Sequence, residues 1–125
     1  MSSLRPLAWV GSAKRDLLAL PKRVVREFGY ALYLAQIGRT HPHAKPLKGF
    51  RSAGMLEVVE DWRGSAYRAV YTVRFAARVF VLHVFQKKAK SGIATPGRDI
   101  ELIRARLAAA QAIAKELADE KAQKG

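Results

Sequence analysis

The stretch YRAVYTVRFAARVFVLHVFQKK, residues 67–88, gathers groups suited to handling a phosphate inside the most apolar run of the chain. A guanidinium such as Arg68 or Arg74 grips a phosphate through its planar fork. A histidine such as His83 moves protons near neutral pH. The ammonium groups of Lys87 and Lys88 supply compact positive charge.

Strand alternation sorts these residues. Tyr67, Ala69, Tyr71 and Val73 share one face, and Arg68, Val70, Thr72 and Arg74 share the other. Arg68 therefore sits mid-sheet, where an arginine is costly unless paired. Two readings stand: an ion pair with Glu57 or Glu60 on the neighbouring strand, or an arginine aimed into a cleft to hold phosphate. His83 alternates with Val81 and Phe85 and is either a core histidine or a proton carrier. Lys87, Lys88 and Lys90 form a basic exit from the last strand. Lys45 and Lys48 lie in the preceding loop, and Tyr71 is placed to stack on a base. His41-Pro42-His43 lacks a third ligand, so no metal centre is expected. Nor is any cofactor: the chain has no Gly-rich phosphate loop, no G-x-S-x-G and no HExxH.

The composition sets the setting for this chemistry. The chain has 125 residues, 50% of them hydrophobic, which predicts one domain over residues 1–125 with a core of its own. It has no cysteine, which removes disulfides and thiolate sites and suits a reducing cytoplasm. Charged residues interrupt the first 20 positions, and no window approaches about 18 uninterrupted apolar residues. Neither a signal peptide nor a membrane span is expected. With 23 Lys and Arg against 10 Asp and Glu, the net charge is +13. Such a surplus favours a polyanionic partner, nucleic acid or an acidic protein, because bound phosphates release counterions.

The elements that must position these residues follow from periodicity. A short strand is expected over residues 7–10, then a helix from Ser12 to Leu20 that stops before Pro21. Val24, Val25, Phe28, Ala31, Leu32 and Ala35 make one helical stripe, stopped by Gly38. Residues 39–54 read as loop. Residues 55–62, 67–75 and 79–85 read as strands, with a tight reversal at Ala76-Ala77. The last is apolar enough to be central and covered on both faces. Residues 87–94 read as a basic loop. Thr95 and Pro96 then open a long helix with Ile100, Ile103, Leu107, Ala110, Ala114 and Leu117 on its apolar side. The ends, near residues 1–6 and 119–125, are expected to fray. The result is an α+β domain of order β-α-α-β-β-β-α: a small antiparallel sheet, a helical hairpin packed on it, and a C-terminal helix.

In this order KPLKGF (45–50), LEVVED (56–61), YRAVY (67–71), VLHVFQKK (81–88) and TPGRDIELIRARL (95–107) resemble the RelE/ParE superfamily of toxins, on its HigB-like, phage-derived branch. The resemblance implies a microbial RNase fold and the toxin of a type II toxin–antitoxin pair. The activity it implies is metal-independent mRNA cleavage, typically on the ribosome, that inhibits translation. Attack would come from the RNA 2′-hydroxyl. The catalytic set would be Arg68, Lys87, Lys88, His83 and Tyr71, with Lys45, Lys48, Arg74 and Lys90 binding RNA. A cognate antitoxin, acidic and with a helix-turn-helix, would be the partner. The sequence departs from the family at Glu57 and Val59, where many relatives carry basic residues. A ParE-like poison of DNA gyrase and a non-toxic basic nucleic-acid-binding module are the alternatives.

Overall fold

The computed structural model describes residues 4–50, 54–87 and 95–124. Its elements are β1 (Leu7–Trp9), α1 (Ala13–Leu18), α2 (Lys22–Gln36), β2 (Ala44–Pro46), β3 (Met55–Trp62), β4 (Ser65–Thr72), β5 (Val79–Lys87) and α3 (Gly97–Lys124). They build a small α+β domain around one sheet of order β1-β5-β4-β3-β2.

The sheet departs from expectation in two ways. Ala44–Pro46, in the stretch read as loop, pairs antiparallel with β3 as an edge strand. An edge strand tolerates proline because its outer N–H groups need no partner, so Pro46 hid it. β1 pairs parallel with β5, which makes the sheet mixed rather than antiparallel. No local pattern announces that pairing, because it joins residues about seventy positions apart.

The β4–β5 connection is also wider than a two-residue turn at Ala76-Ala77. It spans residues 73–78, and the Arg5 guanidinium donates to the carbonyls of Val73 (3.1 Å) and Phe75 (2.7 Å). The segment expected to fray at the N-terminus is thus tied down from Arg5 onward. At the other end α3 runs on to Lys124.

Each face of the sheet has its own core. On one, Ala13 and Leu17 of α1 and Val24, Phe28, Ala31, Leu32 and Ala35 of α2 cover Val58, Tyr67, Ala69, Tyr71, Val79, Val81 and Val84. The apolar stripe of α2 is therefore the face it buries. On the other, Ile103, Leu107 and Ala110 of α3 cover Met55, Val70, Phe80 and Leu82, with Leu47 and Phe50 beside them. Truncating a sealed residue such as Phe28 costs about 3–5 kcal/mol.

A β-bulge shapes the second face. Val70 sits opposite His83 while Tyr71 sits opposite Val81, so Leu82 is the extra residue. Arg106 of α3 donates to the Leu82 carbonyl at 2.8 Å and to Ser12 Oγ at 3.0 Å. Gly11 makes room for it: a Cβ there would lie 2.9 Å from Arg106 Nε, at a φ of +57°.

Candidate functional site

The polar residues of β3, β4 and β5 on the α3 side form one buried cluster. Arg68 Nη1 donates to Glu57 Oε2 at 3.0 Å and to Thr95 Oγ1 at 3.1 Å. The Thr95 hydroxyl in turn donates to Glu57 Oε2 at 3.2 Å. Arg68 and Glu57 are 4% and 3% exposed, so this ion pair is fully desolvated. The partner is Glu57, on the paired strand; Glu60 points to the other face. Thr95, expected as a helix cap, spends its hydroxyl on this pair instead.

His83 reaches the cluster through the bulge. Strict alternation would put it with Val81, but Val81 packs under the α1–α2 side while His83 and Phe85 face α3. His83 Nε2–H donates to Asp99 Oδ1 at 2.8 Å, and its ring stacks on Phe85 at 4.5 Å between centroids. Lys87 is buried as well. Burial, and then Arg68, push its ammonium below the usual lysine range; Glu57 and Asp99 pull the other way. Among the described residues, two cations and two carboxylates surround a histidine. Within the described residues these charges are matched by one another.

Tyr71 is not part of it. It points to the opposite core, is 0% exposed, and its hydroxyl finds no hydrogen-bond partner. Burial pushes its pKa up to about 12. Its ring has no exposed face to offer a base. Tyr67 is buried on that side too, and Trp62 is flanked by the guanidinium carbons of Arg23 (4.7 Å) and Arg63 (5.1 Å). Lys88 and Lys90, with most of the expected basic loop, lie outside the described residues.

The other expected binding residues fall on the α3 face at the surface. Lys45 is paired with Glu57 across β2–β3, so it shares that face. Lys48 precedes a groove of about 340 Å³ lined by Gly49, Phe50, Arg74, Arg104, Leu107 and Gln111, among others. Arg104 lies over the Phe50 ring at 4.8 Å. Among the described residues, neither Arg74 nor Arg104 meets a carboxylate. No local pattern marks Arg104 and Phe50 as partners, because their meeting joins a helix to a loop more than fifty residues away.

The acids explain why the surface stays basic. Of the 10 Asp and Glu residues, five bond to side chains within the chain. Glu57 and Asp99 serve the cluster above, Asp16 accepts from Ser12 at 2.7 Å, and Glu27 and Glu60 pair with His41 and His43 at 2.7 Å. Among the described residues from 4 to 110, Asp61 and Glu101 are the acids left exposed, whereas exposed Lys and Arg recur from α1 to α3.

Fold and site together define a small basic α+β domain with a self-neutralised interior. The chain belongs to the family of phage-derived Gp49-like proteins (DUF891), which matches residues 15–108. No curated protein matches it. The family is Gp49-like and not a RelE/ParE or HigB-like toxin family, so the resemblance read from the motifs is corrected. With it go the toxin and toxin–antitoxin assignments, the mRNA endoribonuclease, the inhibition of translation, and the gyrase-poison alternative tied to the same superfamily. The physical reason lies in what the motifs encode. YRAVY and VLHVFQKK are mostly sheet core, and spacing in a core reports packing rather than chemistry. The group of metal-ligating type among the described residues, His41, His43 and Glu60, is built on the far face of β3 from Arg68 and adds nothing to the arginine's cluster.

Among the described residues, no helix is long and apolar enough to cross a membrane.

Proposed function

We propose that the chain is a nucleic-acid-binding module that takes a single strand across its α3 face through the Phe50–Arg74–Arg104 groove. One observation carries this reading: among the described residues from 4 to 110, Asp61 and Glu101 are the acids left exposed, so exposed Lys and Arg dominate that surface in a chain of net charge +13. A surface of that kind attracts a phosphate backbone and releases its counterions. The groove adds what charge alone lacks. Arg104 rests on Phe50 with one face of its guanidinium, and the other face offers a plane on which a base stacks. Arg74 lines the groove and neutralises an adjoining phosphate, and exposed Lys48 precedes the groove's Gly49 in the chain.

The test is fluorescence anisotropy of a labelled 20-nucleotide single strand at several salt concentrations. Binding should weaken steeply with salt. The double variant Arg74→Ala with Arg104→Ala should lower the log–log salt slope by about 1.4, two single-strand contacts' worth. An unchanged slope, or no binding at low salt, would overturn the reading.

A further inference from the structure

The fold supplies the third ligand that His41-Pro42-His43 lacks in the sequence. Glu60 of β3 reaches this loop between α2 and β2, and one potential ligand atom from each of His41, His43 and Glu60 lies within 4.8 Å of the others. We propose that these three side chains bind one divalent metal ion of the zinc class.

The hydrogen bonds set the roles. The His43 backbone N–H donates to His41 Nδ1 at 3.0 Å, so the lone pair of a neutral His41 is at Nδ1 and its hydrogen at Nε2. That Nε2–H donates to Glu27 Oε1 at 2.7 Å. A metal-bound imidazole is held in this way, one nitrogen toward the ion and the other N–H on a carboxylate. His41 is 3% exposed, and the ring of Tyr30 meets it edge-on at 5.7 Å, which fixes its plane. His43 Nδ1 faces Glu60 Oε1 at 2.7 Å. A cation at His43 Nδ1 takes the place of the hydrogen in that contact, and a neutral imidazole then carries its hydrogen at Nε2.

Two imidazoles and one carboxylate suit zinc and its neighbours rather than magnesium or calcium, which prefer oxygen alone. Bonds of about 2.0–2.1 Å place tetrahedral ligands roughly 3.3 Å apart, so the set must draw together by up to about 1.5 Å. His43 can supply that movement, since its side chain is 59% exposed on a loop. His41 gives up one backbone hydrogen bond in return. The bound ion would clip the α2–β2 connection to β3. This inference does not depend on nucleic-acid binding.

The experiment uses the full chain without an affinity tag, titrated with Zn²⁺ against a chromophoric chelator. One ion per chain should bind, with a rise in Tm that EDTA reverses. His43→Ala and Glu60→Gln should each weaken binding at least tenfold. Glu27→Gln, which disturbs only the orientation of His41, should weaken it by about 10–100-fold. Circular dichroism should show all three variants folded, since none of these side chains is fully buried. A chain that takes up no Zn²⁺ at 100 μM, or binding that survives both His43→Ala and Glu60→Gln, would overturn the site.

Discussion

Glu57 and Glu60 lie on opposite faces of β3 and have opposite fates. Glu57 is sealed under α3 with Arg68, Thr95 and Lys87 near it. Glu60, three residues on and turned the other way, meets His43 at a surface that solvent reaches. Burial makes the difference. A charge in the interior must be matched there, and once matched it has nothing left for a ligand. A charge at the rim can exchange a proton or a hydrogen bond for an ion. The residues most suggestive in sequence, Arg68 and His83, belong to the first kind. His43, in the plainer His41-Pro42-His43, belongs to the second.

That contrast is open to attack at several points. The largest effect should come from Arg68→Ala, which strands Glu57 in the core. It should cost about 3–5 kcal/mol, read as a lower midpoint in urea without a change in slope. Replacing both partners by apolar residues, Glu57→Leu with Arg68→Met, should recover most of that loss. If the single change costs less than about 1 kcal/mol, the cluster is not sealed and the comparison fails.

An intermediate effect should appear in alkali. Tyr71 keeps its proton to about pH 12 in the folded chain, against about 10 when unfolded. Between those values the folded state binds more protons, so stability falls as pH rises. The loss should reach roughly 2–3 kcal/mol by pH 12 relative to pH 9. Tyr71→Phe should remove that part of the decline. At neutral pH the same variant should lie within about 0.5 kcal/mol of the parent, because the hydroxyl has no partner to lose. Parallel pH profiles of the two proteins would show that Tyr71 is not sealed.

The smallest effect should be that of Lys45→Ala. Lys45 is exposed on an edge strand, so stability should move by less than about 0.5 kcal/mol. The salt slope for a single strand should drop by about 0.7 if Lys45 touches the strand's path. A slope equal to the parent's would confine that path to the groove.

Much of the scaffold was legible because it is written in periodicity. The stripe of α2, the apolar run of β5 and the alternation of β3 and β4 each report which side faces the core. Charge balance likewise announced a basic surface. The exceptions are instructive. β2 was hidden by Pro46, and the side on which His83 emerges was hidden by one extra residue, Leu82, which shifts the register of β5. The motif resemblance read core strands as a catalytic set, since the same apolar spacing serves packing whatever the chemistry.

By itself, then, the sequence determined the α+β class, the helices, the three long strands and the cationic excess, all of which depend on neighbours along the chain. Tertiary structure alone decided who is paired with whom. It turned Glu57 inward to cancel Arg68, sent Tyr71 away from the polar cluster, laid Arg104 on Phe50, and brought Glu60 to a pair of histidines. Those outcomes depend on contacts between residues 11 to 54 positions apart, and no local pattern carries the strand register and helix placement that create them.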